Sequence, residues 1–156
     1  MISNGSILVA EDQESARESL VELFKDEGYD VYEAPDGNAA ISMIDKLDLD
    51  LVLTDLMMPG ADGIAVMKHV RDVSPQTLVM IMSAHATVET AIQAIRLGAQ
   101  DYLLKPLIFD EVLRKTRQLM EHRELAWENQ LLRREINVHF SSERPLGRSH
   151  AMQELS

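Results

Sequence analysis

Acidic, hydroxyl and basic side chains stand at the ends of several short apolar runs, where they could meet and do chemistry. Glu11 and Asp12 follow one such run, Asp55 follows a second, and Ser83 and Lys105 follow two more. In a parallel sheet with helices between its strands, the carboxyl ends of the strands lie along one edge. We therefore expect these five side chains to line a single crevice, although they are scattered along the chain.

Three carboxylates in one crevice repel one another unless a cation lies between them. A divalent ion that prefers oxygen ligands, Mg²⁺ above all, would remove this repulsion and leave coordination positions for water. A carboxylate beside such an ion is a competent nucleophile towards phosphorus and would form an aspartyl phosphate. Lys105 could then pair with one phosphoryl oxygen, and the Ser83 hydroxyl could donate a hydrogen bond to another. The set predicts that Asp55 accepts a phosphoryl group.

Alternating strand and helix patterns predict the scaffold that places these residues. Short apolar or β-branched runs over residues 6–10, 29–34, 50–54, 77–82 and 102–104 predict five strands. Each run is followed by apolar residues at helical spacing, and Gly or Pro residues mark several of the turns between them. Val88, Ala91, Ile92 and Ile95 give this spacing in the fourth helix. Five β/α repeats predict an α/β fold with a doubly wound, five-stranded parallel sheet.

The last helix is predicted to extend beyond the sheet. Neither Pro nor Gly occurs between Leu107 and Pro145, so we expect one helix from about residue 109 to about residue 139, roughly 45 Å long. Leu113, Met120 and Trp127 belong to a series of apolar residues near heptad spacing, which favours a coiled-coil seam between two copies. Charged residues interrupt this series, and a solvated helical linker is the alternative.

Composition limits the classes of function that remain. The net charge of −11 and the pI of about 4.8 argue against binding to nucleic acid or to an anionic membrane surface. Because the chain contains no cysteine, disulfides, thiol catalysis and cysteine zinc sites are excluded. No signal sequence or long apolar run is recognisable, so we expect a cytoplasmic protein without a membrane span.

The motif set resembles the response-regulator receiver domain of two-component signalling over about residues 5–122. The resemblance is carried by these groups: Glu11-Asp12, Asp55 with Met58-Pro59-Gly60 and Asp62-Gly63, Ser83-Ala84, Gly98-Ala99, Asp101-Tyr102-Leu103 and Lys105-Pro106. It implies a flavodoxin-like sheet with the strand order 2-1-3-4-5. The acidic pair is Glu-Asp where many members have Asp-Asp.

The resemblance also implies roles for particular residues. Asp55 would be the phosphoacceptor, and Asp12, Asp55 and the Met57 backbone carbonyl would bind Mg²⁺, with Glu11 assisting through water. Lys105 and a hydroxyl at position 83 would assist the phosphoryl transfer. The domain would then be a regulatory domain that catalyses only its own phosphorylation and dephosphorylation.

A second set of implied roles concerns signalling within the domain. Ser83 and Tyr102 match the family's switch pair, in which the hydroxyl turns towards the phosphoryl group and the aromatic ring turns inward. The Lys105-Pro106 peptide bond is expected to be cis, and the fourth helix, fifth strand and fifth helix form the expected face for a homodimer.

The end of the chain resembles a second family. Residues 144–156, with Leu146-Gly147-Arg148-Ser149, resemble the start of the AAA+ ATPase module of NtrC-type sigma-54-dependent activators. We therefore expect a receiver domain over 1–122, a helical linker over 123–143 that could form a coiled coil, and a truncated AAA+ start over 144–156. The chain would be a regulatory fragment of a longer transcription activator.

The predicted function is that of a phosphorylation switch: a sensor histidine kinase would phosphorylate Asp55, and the domain would control dimerisation and assembly of the AAA+ module. One alternative is a dimerisation module that does not depend on phosphorylation. Another is a phosphohydrolase with an Asp nucleophile, but such enzymes need a second acid two residues further on, and position 57 is Met.

Overall fold

A computed structural model describes residues 4–85 and 87–122 of the chain. Strands and helices alternate throughout this part. In chain order they are β1 Ser6–Ala10, α1 Glu14–Asp26, β2 Asp30–Ala34, α2 Gly37–Lys46, β3 Leu51–Asp55, α3 Gly63–Val73, β4 Leu78–Ser83, α4 Val88–Arg96, β5 Asp101–Leu104 and a further helix, α5, over residues 109–122.

The five strands form one parallel sheet with the order β2-β1-β3-β4-β5. The predicted doubly wound fold and its strand order are therefore confirmed. In the register of the central strands, Ala10 lies beside Thr54, and Asp55 lies beside Met82. Asp55 is the last residue of β3, one residue beyond the predicted strand, and the carboxyl ends of β1, β3, β4 and β5 share one edge of the sheet.

Helices cover both faces of the sheet, so its central strands are apolar on both sides. Along β1, Leu8 and Ala10 enter one core cluster, which also contains Ile44 of α2 and Val66 of α3. The alternate residues enter the second cluster, which also contains Phe24 of α1 and Val112 of α5. This division follows the two-residue period of a strand.

Helix α4 lies where it was predicted, but the residues that the helical spacing placed on its apolar face are not its buried ones. Ala94 is the buried residue of this helix, while Val88, Ile92 and Ile95 are 75%, 46% and 50% exposed. Helical spacing identified the apolar stripe without showing which side meets the sheet. The neighbouring strand β5 is four residues long and lies at the sheet edge, so it offers α4 little area to cover.

The last helix begins at residue 109, as predicted. Its predicted continuation to about residue 139, the linker over 123–143 and the AAA+ start over 144–156 lie outside the described residues. Within the described part, none of the helices combines the length and the hydropathy needed to cross a membrane.

Candidate functional site

Backbone hydrogen bonds between neighbouring strand ends fix the positions from which the predicted side chains project. The Glu11 N–H donates to the Ala34 carbonyl at 3.1 Å, and the Leu56 N–H donates to the Met82 carbonyl at 2.8 Å. At the far side, the Lys105 N–H donates to the Ser83 carbonyl at 2.8 Å. The predicted residues therefore stand on paired strand ends along one edge.

Three carboxylates meet at this edge. One oxygen each of Glu11, Asp12 and Asp55 lies within 4.8 Å of the others. Glu11 is fully buried, Asp55 is 7% exposed, and Asp12 is exposed to solvent. Oxygen donors at this spacing, with one open side, suit a hard divalent cation such as Mg²⁺ that keeps part of its water shell.

Lys105 bridges two of these carboxylates. Its Nζ lies 2.5 Å from Glu11 Oε1 and 2.8 Å from Asp55 Oδ2. Burial raises the pKa of Glu11, and the nearby charge of Asp55 raises it further, against the lowering effect of hydrogen bonds from Lys105 and the Gln13 N–H. Burial by itself lowers the pKa of Lys105, but its hydrogen bonds to the two carboxylates outweigh burial, so the pKa is raised. The ammonium group is thus held in its charged form.

The loop after Asp55 is held close to the sheet edge by two glycines. A Cβ on Gly63 would lie 2.5 Å from the Asp55 carbonyl oxygen, and a Cβ on Gly37 would lie 1.8 Å from the Ala61 carbonyl oxygen. Only glycine allows backbone to approach this closely. Asp62 begins α3 as its N-cap, accepting a hydrogen bond from the Ala65 N–H at 2.9 Å.

Met57 lies at the start of the same loop. The Met57 N–H lies 3.3 Å from Asp55 Oδ1, and Met57 as a whole residue is 67% exposed. Position 57 therefore presents a flexible apolar side chain to solvent beside the predicted phosphoacceptor. No acid takes the place that an Asp-nucleophile hydrolase requires.

The two predicted switch residues have different surroundings. Ser83 is 1% exposed, and its Oγ accepts a hydrogen bond from the His85 N–H at 3.1 Å. The Tyr102 hydroxyl lies 3.2 Å from Thr90 Oγ1 in α4. Thr90 in turn exchanges hydrogen bonds with Thr87 in the capping box that begins α4. The Tyr102 ring is therefore connected to the first turn of α4.

The Lys105–Pro106 peptide bond is cis, as predicted. One residue beside the site, Arg17, was not predicted from the sequence. The Nη1 of Arg17, in α1, donates to the Glu11 carbonyl oxygen at 3.0 Å. Nothing in the sequence marks Arg17, because its position in the helical pattern is that of an ordinary polar residue.

Comparison with known proteins agrees with this geometry. The family described as the response regulator receiver domain matches residues 7–117. The transcriptional regulatory protein ZraR of Escherichia coli K12 is 39% identical over 119 residues, covering 76% of this chain and 27% of ZraR. The regulatory protein AtoC of the same strain is 37% identical over 112 residues, covering 72% of this chain and 24% of AtoC. The chain spans about a quarter of the length of these relatives.

Solved structures show the same fold. A receiver domain of Francisella response regulator 1452 has a TM-score of 0.72 at 32% identity, covering 76% of this chain and 98% of that one. NtrX from Brucella abortus, solved in complex with ATP, has a TM-score of 0.77 at 30% identity, covering 83% of this chain and 30% of NtrX.

A parallel five-stranded sheet with an acidic cluster and a lysine at its carboxyl edge defines the class of protein as a signalling domain of the two-component type. The chain belongs to the response regulator receiver domain family, which confirms the resemblance drawn from the motifs.

Proposed function

We propose that Asp55 accepts a phosphoryl group from a phosphohistidine of a sensor kinase. One observation carries this proposal: a nearly buried carboxylate at a strand end lies 2.8 Å from the Lys105 ammonium and within 4.8 Å of two further carboxylates. In the transfer, an Asp55 carboxylate oxygen forms a bond to phosphorus. The bond between phosphorus and the kinase imidazole nitrogen breaks, and its electron pair stays on that nitrogen.

The surrounding residues have separate tasks in this transfer. Asp12, Asp55 and the Met57 carbonyl would hold Mg²⁺, with Glu11 acting through water. The ion, when bound, neutralises charge on the phosphoryl oxygens. Lys105 would pair with one phosphoryl oxygen, and the Ser83 hydroxyl would donate to another.

The charges at the site support a divalent ion. Glu11, Asp12 and Asp55 carry three formal negative charges when ionised, and Lys105 compensates one of them. Two negative charges then remain, and a divalent cation matches them. Without such an ion an incoming phosphoryl group would meet a surplus of negative charge.

Phosphoryl acceptance is tested by intact-mass measurement after incubation with acetyl phosphate and Mg²⁺. We expect a single phosphoryl adduct on the wild type and none on Asp55→Asn. The matched control is Asp62→Asn, which makes the same chemical change in the same loop and keeps a side chain able to cap α3. It should form the adduct like the wild type. An unmodified wild type, or an undiminished adduct on Asp55→Asn, would contradict the proposal.

We further propose that the chain is the regulatory part of a sigma-54-dependent transcription activator of the NtrC type. In this reading residues 1–122 are the receiver, 123–143 the linker and 144–156 the start of the AAA+ module. Phosphorylation would control dimerisation through α4, β5 and α5, and with it AAA+ assembly. The exposed apolar side chains of Ile92, Ile95 and Leu104 support this face as the contact.

Light scattering tests the dimer. We expect the full chain to change its oligomeric state on addition of the phosphodonor, and Ile95→Glu to prevent that change. The control is Val73→Glu, which alters an equally exposed apolar residue on α3, outside the proposed face. A chain that stays monomeric under both conditions, or an Ile95→Glu variant that behaves as the wild type, would refute the proposed contact.

A further inference from the structure

Arg17, in α1, forms hydrogen bonds to β2 and to the residue that follows β1, beside the acidic cluster. It is the fourth residue of α1, and its side chain is 14% exposed. Its Nε donates to Glu33 Oε1 on β2 at 2.9 Å, and its Nη1 donates to the Glu11 carbonyl oxygen at 3.0 Å. The Arg17 N–H donates to the Gln13 carbonyl at 2.9 Å. One guanidinium group therefore joins α1 and β2 to the end of β1.

The bond to the Glu11 carbonyl fixes the peptide from which Asp12 extends. The Glu11 N–H is held by Ala34, and the Glu11 carbonyl is held by Arg17, so both sides of Glu11 are fixed. Because the peptide unit is planar, its orientation fixes the position of the Asp12 Cα, from which the Asp12 side chain extends. Asp12 is exposed to solvent, so its position depends on its backbone more than on side-chain packing.

We propose that Arg17 is a positioning residue for the divalent cation at the Glu11, Asp12 and Asp55 cluster. It acts through the Glu11 carbonyl and does not touch the ion. The inference rests on the proposed function, because it assumes that the cluster binds Mg²⁺. Residues that orient metal ligands without binding the metal typically change metal affinity by 10- to 100-fold when they are replaced.

Two possible effects of Arg17 on cation binding have opposite signs. As a positive charge near the cluster, Arg17 repels a cation, so removing it should strengthen Mg²⁺ binding. As a clamp on the Glu11 carbonyl, it holds Asp12 in place, so removing it should weaken Mg²⁺ binding. The direction of the change therefore separates positioning from simple electrostatics. A purely structural role would lower the melting temperature and leave the affinity of the folded protein unchanged.

The test is calorimetric titration of the full chain with Mg²⁺, without any phosphodonor. We expect Arg17→Gln to weaken Mg²⁺ binding by about tenfold. Arg17→Lys keeps the charge, but a single ammonium group lacks the planar fork that reaches both Glu33 and the Glu11 carbonyl, so binding should also weaken. The control is Lys25→Gln, which removes an exposed positive charge from the last turn of the same helix. It should leave binding unchanged or slightly strengthen it.

Circular dichroism and thermal unfolding establish that each variant is folded at the temperature of titration. Arg17→Lys serves in place of Arg17→Gln if the latter does not fold. Mg²⁺ binding that is unchanged or tighter in both Arg17 variants would overturn the positioning role alone. A wild type that does not bind Mg²⁺ would overturn the proposed metal site, and the positioning role with it.

Discussion

Replacement of Lys105 by Met should lower the free energy of unfolding, because it leaves the buried carboxylates of the acidic cluster without their ammonium partner. Lys105 Nζ contacts Glu11 Oε1 at 2.5 Å and Asp55 Oδ2 at 2.8 Å, and the side chains of Lys105 and Asp55 are 21% and 10% exposed. Leaving buried charges without their partner typically costs 3–5 kcal/mol. Because the site is open on one side, we expect about 3 kcal/mol of stability to be lost at pH 7.

The loss should depend on pH with a definite sign. The pKa of Glu11 in the folded wild type is already raised above its ordinary value of 4.5, and Lys105 lowers it. Without Lys105 the pKa of Glu11 rises further. Over a wider pH range, Glu11 therefore keeps its proton in the folded variant after the unfolded chain has released it. The unfolding free energy of the variant then falls as pH increases, by at most about 1.4 kcal/mol per pH unit. The loss should therefore be smaller at pH 5 than at pH 7.

Urea unfolding followed by circular dichroism, in the presence of a chelator at pH 5, 6, 7 and 8, measures this loss. The control is Lys115→Met, because Lys115 Nζ lies 2.9 Å from Asp101 Oδ2 in a pair whose side chains are 25% and 30% exposed. A pair with this exposure should be worth about 1 kcal/mol or less and vary little over this pH range. A smaller loss for Lys105→Met than for Lys115→Met, or a loss independent of pH, would refute the reasoning.

Two further substitutions test the loop after Asp55 and the start of α4. Gly37→Ala places a Cβ 1.8 Å from the Ala61 carbonyl oxygen, so urea unfolding should show a loss of about 1–3 kcal/mol; unchanged stability would contradict this close approach. Thr90→Val removes the hydroxyl that accepts from the Thr87 N–H in the capping box and that contacts the Tyr102 hydroxyl, while the Thr90 N–H can still donate to Thr87. Amides in the first turn of α4 should then exchange faster with deuterium, and faster than in Tyr102→Phe, which keeps the cap. Equal exchange in the two variants would contradict that role of Thr90.

The fold was predictable because each repeat carries its own signals. Residues 7–10 and 78–82 are apolar throughout, as strands covered on both faces must be, and Gly28 and Gly98 adopt positive φ at the ends of helices. The site was predictable for a related reason. The fold brings the strand ends together, so Glu11, Asp55 and Lys105 could be placed at one edge before any distance was known.

Other features could not be read from the sequence, because they depend on which surfaces meet. The spacing of Ile92 and Ile95 shows an apolar stripe but not that it stays exposed. Gly37 signals a turn, whereas its close approach to Ala61 depends on packing between two separate β/α units. The bond from Arg17 to the Glu11 carbonyl joins a side chain to a backbone atom, and such contacts leave no pattern of residue types.

The most direct test of the central claim locates the phosphoryl group on the chain. After incubation with acetyl phosphate and Mg²⁺, borohydride reduction converts an aspartyl phosphate into homoserine, which peptide mass spectrometry can assign to a position. We predict homoserine at position 55 alone, dependent on the phosphodonor and lost in Asp55→Asn. Homoserine at position 12 or 62, or at none of the aspartates, would contradict the assignment of Asp55 as the phosphoacceptor.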